Sequence, residues 1–100
     1  MEQLEFVYMF KPKREDFLQT LSLEEMAAMG AHFEYCNGLH AEGALLMSGA
    51  CTDGAYGMVV FKADSEEAAR RIFENDPVVI ANIVDAELHP YKVLKLIGRD

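Results

Sequence analysis

The segment from Leu4 to Phe10, LEFVYMF, narrows most sharply what this chain can fold into. Alternation places Leu4, Phe6, Tyr8 and Phe10 on one side of a strand, and Val7 and Met9 on the other side are apolar as well. A strand that is apolar on both sides belongs to a sheet covered on both sides. One hundred residues, half of them hydrophobic, can build one core of that kind but not two, so a single domain over 1–100 is expected.

The remaining elements follow from their start and stop signals. KPKREDFLQT, polar and holding one proline, reads as a loop that Phe17 and Leu18 anchor. Ser22 with Glu25 three residues on is a capping box, and Met26, Met29, Phe33 and Cys36 follow at helical spacing until Gly43 supplies a stop. Gly30 and Gly38 inside this helix each cost about 1 kcal/mol against Ala, a cost that close packing would explain. A short strand over 44–48, a turn-rich GACTDGAYG and a strand over 56–63 come next. A second helix starts at Asp64 or Ser65, with Asp64 and Glu67 as a capping pair, and Ala68, Ala69, Ile72 and Phe73 form its apolar face. Asp76-Pro77 then breaks that helix and starts a shorter one, because proline disfavours helix at the residue before it and suits the first helical position. A long final strand over 84–96, bent or unpaired near Pro90, closes the chain.

The order is βαββαβ, an α+β ferredoxin-like arrangement with a four-stranded antiparallel sheet and both helices on one face. Nothing is left in the sequence to cover the other face, so a homodimer that packs sheet against sheet is expected.

Composition removes several function classes. Nine Lys and Arg against 17 Asp and Glu give a net charge of −8, which disfavours a nucleic-acid partner and an anionic membrane surface. No apolar run approaches the roughly 20 residues of a membrane span, and the acidic start MEQLEF does not read as a signal peptide. Cys36 and Cys51 form neither a disulfide framework nor a C-x-x-C pair, which points to a cytoplasmic protein. No phosphate loop, dinucleotide fingerprint or nucleophile elbow is present, and no cofactor is expected.

HFEYCNGLHAEG (32–43) leading into ALLMSGA, then F-x-A-D-S-E-E-A (61–68), N-D-P (75–77) and L-H-P-Y (88–91), in that order, resemble the YciI-like (YCII-related) family. The resemblance covers nearly the whole chain and implies a dimeric α+β barrel, in which the sheets of two subunits pair. It also implies a His-Asp dyad between sheet and helices, which falls here on His32 and Asp76. The chemistry it implies is that of a cofactor-independent lyase or isomerase acting on a small organic molecule, such as a cyclic or aromatic breakdown product; a dehydrochlorinase and muconolactone isomerases belong to its wider circle. Many relatives carry Gly-Pro after the second strand where this chain has Gly49-Ala50-Cys51, so the rim of the pocket differs.

Each candidate residue has a plainer reading beside the functional one. His32 suits proton transfer near neutral pH, and a nearby carboxylate would orient it and raise its pKa, but a His at the edge of an apolar helix face is ordinarily a hydrogen-bonded core residue. Asp76 before Pro77 is an N-cap on local grounds; with two oxygens it can cap and face His32 together. Tyr8, Cys51, His89 and Tyr91 are candidate substrate contacts, with core or interface packing as the alternative. His32, Cys36 and His40 run at four-residue spacing along one helix over about 12 Å; one pair could hold an ion, but all three cannot meet at one, and no metal site is expected. The alternative to an enzyme is a non-catalytic ligand-binding or interaction module in which His32 is structural and Asp76 only a cap.

Overall fold

A computed structural model describes residues 4–98. It contains strand β1 (Leu4–Pro12), a 3-10 turn (Phe17–Gln19), helix α1 (Leu23–Ala41), strands β2 (Leu45–Ala50) and β3 (Gly57–Ala63), helices α2 (Glu66–Glu74) and α3 (Pro77–Ile80), and strand β4 (Val84–Tyr91). The strands form one antiparallel sheet in the order β2-β3-β1-β4, so β1 is central and flanked by β3 and β4. This is the α+β, ferredoxin-like architecture expected from the sequence.

Register settles which residues face the helices. Phe6, Tyr8 and Phe10 pair with Phe61, Val59 and Gly57 on one side and with Pro90, Leu88 and Ala86 on the other. Because paired residues share a face, these make the inner layer. Phe6, Tyr8, Phe10, Val59 and Phe61 are all buried there together with Ala69, Phe73 and Val78 from α2 and α3. Tyr8 meets Phe61 and Phe73 edge to face, at ring separations of 5.7 and 5.2 Å. Such geometry sets the positive ring edge against a negative ring face and adds to what burial contributes.

The outer layer differs from expectation. Val7 and Val60 are buried although the helices lie on the other side. The chain turns back after Tyr91: the Val93 amide donates to Glu5 on this face at 2.8 Å, and Tyr91 to Leu96 border one cleft with Leu46, Met58 and Val60. The C-terminal segment therefore covers part of the sheet that the sequence reading left open. The final strand is accordingly shorter than 84–96. Its register with β1 runs unbroken through Pro90, opposite Phe6, because β4 is an edge strand and proline is tolerated at a sheet edge.

Helix α1 begins with the full capping box. Ser22 Oγ accepts from the Glu25 amide at 3.1 Å while Glu25 Oε1 accepts from the Ser22 amide at 2.8 Å. Arg14 grips Glu25 with two bonds of 2.8 Å and lies over the Phe17 ring, which ties the preceding loop to the helix start. The hydrogen bonds from Arg14 and Ser22 hold the Glu25 carboxyl down at about 2. At the other end Gly43, at φ +81°, closes a Schellman motif: its amide bonds the His40 carbonyl, and the Ala44 amide bonds that of Leu39. The helix sits rotated from the predicted face. His32, Cys36 and Leu39 point inward, whereas Met26 and Phe33 are exposed. Gly30 and Gly38 have open space where a Cβ would go, so close packing does not account for them. In α2 the cap is Ser65, whose hydroxyl accepts from the Ala68 amide at 3.0 Å, rather than the Asp64–Glu67 pair.

Candidate active site

The turn between α2 and α3 positions the central carboxylate. Asp76 is extended (φ −67°, ψ 128°), as a residue before proline must be, and Pro77 opens α3. Its Oδ1 accepts from the Val78 amide at 3.1 Å, which is the N-cap bond. The same side chain is fully buried and does more than cap. Oδ2 accepts the Tyr8 hydroxyl proton at 2.5 Å, and both oxygens lie 2.8 Å from His32 Nδ1. A carboxylate only accepts, so Nδ1 carries a proton and points it at Asp76. Three elements thus converge on one carboxylate: α1 supplies His32, β1 supplies Tyr8, and the start of α3 supplies the amide.

The other imidazole nitrogen is the one available for chemistry. His32 Nε2 lies 3.8 Å from Cys36 Sγ, one helical turn on. The Phe10 ring packs edge-on against the imidazole at 5.2 Å, and the Phe33 ring lies beside it, tilted, at 5.7 Å. Gly57 makes room for Phe10. A Cβ at that position would stand 2.4 Å from the Phe10 ring, so any larger residue would displace the ring that packs against His32.

Electrostatics follow from this enclosure. Burial works against a charged imidazole, but the hydrogen bonds to Asp76 and Cys36 outweigh it and raise the His32 pKa to about 9. At neutral pH His32 is therefore an imidazolium paired with a carboxylate. Burial first, and then the neighbouring Asp76 charge, push the Tyr8 hydroxyl far above its ordinary value, so Tyr8 stays a donor. Tyr35, whose hydroxyl donates to the Ile72 carbonyl at 2.8 Å, is raised for the same two reasons.

The predicted site residues divide into three groups. His32, Asp76 and Tyr8 are in direct contact, but Tyr8 faces Asp76 from inside the core instead of facing a ligand. Cys51 lies on the other side of Phe10, in an apolar cleft lined also by Phe17, Leu18, Met29 and Tyr56. The cleft holds about 50 Å³, room for a few waters, so a ring compound would enter only if its lining moved. His89 and Tyr91, paired with Val7 and Glu5, lie on the outer face, across the sheet from His32. They do not line this pocket, because the unbroken register through Pro90 fixes which way they point. Cys36 and Phe10 are the contacts that sequence reasoning missed. The spacing of Cys36 from His32 signalled the first, and nothing local signals the second.

The sheet order and the helices packed on one of its faces define the class: a ferredoxin-like α+β domain with a four-stranded antiparallel sheet. Within it the chain belongs to the YCII-related domain family, whose profile matches residues 6–91. A solved structure with a similar fold is 5-chloro-2-hydroxyhydroquinone dehydrochlorinase from Burkholderia phenoliruptrix AC1100, in complex with 2,5-dihydroxybenzoquinone. The two superpose with a TM-score of 0.63 over 87% of this chain and 93% of that one, at 18% sequence identity. A comparison with curated protein sequences finds no match. Among the described residues no helix is long and apolar enough to cross a membrane.

Proposed function

We propose that this protein is a small, cofactor-independent lyase or isomerase that moves a proton on a small cyclic or aromatic-derived organic molecule through His32 and Asp76. The observation that carries the reading is the 2.8 Å contact between His32 Nδ1 and a carboxylate that is wholly buried and also accepts from Tyr8. Burying a carboxylate is costly, and here each oxygen is engaged; a simple N-cap needs only one. Asp76 fixes the imidazole and stabilises its charged form, and Nε2 gives or takes the proton. Membership of the YCII-related family supports an enzyme of this type, and the dehydrochlorinase supports it as a relative in fold.

The test is a screen of hydroxylated and halogenated ring compounds in D₂O, followed by NMR for deuterium incorporation at carbon and by chloride release. Turnover that falls about 100-fold or more in both His32→Asn and Asp76→Asn supports the reading. Turnover unaffected by either change removes it.

A second reading has its own observation. His32 is 4% exposed and Asp76 0%, so the pair is closed to solvent as a structural pair would be. A non-catalytic binding module would use the apolar cleft and leave the pair to hold α1, α3 and the sheet together. In that case small apolar ligands bind with no dependence on His32. We further propose a homodimer through the outer sheet face, supported by exposed Met47, Tyr91 and Leu94 around that face. A cytoplasmic location fits the two free thiols.

A further inference from the structure

We infer that Cys36 and His32 form a binding site for a soft divalent cation of the zinc class. Three metal-ligating side chains, His32, Cys36 and Asp76, lie together in the interior, with donor atoms within 4.8 Å of one another. Their roles differ. Asp76 already accepts from Tyr8, Val78 and His32, so it stands behind the site. The remaining ligand atoms are His32 Nε2 and Cys36 Sγ, which contact each other at 3.8 Å. A tetrahedral zinc ion, with bonds of about 2.0–2.1 Å to nitrogen and about 2.3 Å to sulfur, holds such donors about 3.6 Å apart. The pair is therefore spaced for an ion with almost no rearrangement, and both donors sit on one rigid helix at i and i+4.

The surroundings match what a metal-bound imidazole requires. A ligating histidine donates its other ring N–H to a carboxylate, which fixes the tautomer and raises the basicity of the ligating nitrogen. The Nδ1-to-Asp76 bond provides that orientation, and Tyr8 anchors Asp76 in turn. Thiolate with imidazole selects zinc-like ions over magnesium or calcium, which prefer oxygen. On binding, the Cys36 S–H proton and the proton that the imidazolium carries on Nε2 both leave to water, a metal–sulfur bond forms, and the freed Nε2 lone pair goes to the ion. No electron is transferred. Water or an oxygen atom of a small molecule completes the coordination.

The ion and the acid/base proton compete for the same lone pair. A loaded protein cannot carry a proton on Nε2, so the cation switches off the chemistry proposed above. The binding stands on geometry alone, and only this consequence rests on the proposed function.

The experiment is an anaerobic titration of the metal-free protein with Co²⁺, read by absorption. Wild type and Cys51→Ser are expected to take up one equivalent with a thiolate-to-cobalt charge-transfer band that Zn²⁺ displaces. Cys36→Ser should lose the band, and Asp76→Asn should keep it with affinity lowered about 10-fold. A second readout needs no variant: in ¹⁵N-histidine spectra Zn²⁺ should shift His32 Nε2 by far more than the Nε2 of His40 or His89. A wild type with no thiolate band, a band that survives Cys36→Ser, or an unmoved His32 Nε2 each overturns the inference. None of these readouts depends on turnover, so the metal site and the proposed enzyme fail separately.

Discussion

At the scale of the residue, the consequential fact is that Asp76 satisfies a cap, a tyrosine and a histidine at once. Such an arrangement couples stability to pH. His32 has a folded pKa raised to about 9 against about 6.5 in an unfolded chain, so folding favours its protonated form. The resulting stabilisation is fully present below about pH 6.5 and is lost as pH rises through about 9, amounting to about 3 kcal/mol at most. Urea unfolding at pH 6 and pH 9.5 should show this loss in the wild type, and Asp76→Asn should show little of it. An equal fall in both proteins would mean that the pair is not coupled. An exposed tyrosine, with a pKa of about 10, is only about a quarter ionised at pH 9.5, so Tyr8 contributes about 0.2 kcal/mol to the comparison.

At the scale of the element, local signals were legible where the chemistry was local. Ser22 and Glu25, Gly43, and Asp76-Pro77 each act within one turn of chain, and each does in the structure what its type predicts. The orientation of α1 was not legible. Apolar residues lie all around this helix, so spacing could not tell the Met26–Phe33 side from the His32–Cys36–Leu39 side. Only packing against the sheet decides, and it draws the histidine inward. The same rotation leaves Gly30 and Gly38 pointing at open space. Gly30→Ala and Gly38→Ala should therefore each raise stability by about 1 kcal/mol, whereas Gly43→Ala, at φ +81°, should lower it by a similar amount. Thermal unfolding of the three variants checks the signs; a loss at position 30 or 38 would show that the helix packs differently.

At the scale of the whole molecule, βαββαβ order fixed the sheet, and the sheet brings together residues that are far apart in sequence. His32 and Asp76 are 44 positions apart, and Tyr8 and Asp76 are 68. No periodicity links them; family resemblance supplied the pairing of His32 with Asp76, while the third member, Tyr8, emerged only with the register of β1. The outer face shows the opposite limit. Alternation in β1 correctly marked it as apolar, but the return of the chain after Tyr91, with its long-range bond from Val93 to Glu5 and its packing beside Met58 and Val60, has no local signal. Sedimentation equilibrium tests the proposed pairing of two such faces: Met47→Glu, at an exposed position of that face, should give monomers, and a wild-type monomer at micromolar concentration would contradict the dimer. The central claim, that His32 and Asp76 are one acid/base unit, is tested most directly by NMR titration of His32 in the metal-free wild type and in Asp76→Asn, in which asparagine retains the cap. A midpoint near 9 is expected in the wild type and a lower one in the variant, where burial and Cys36 remain but the carboxylate charge is gone. The same midpoint in both proteins would contradict the claim.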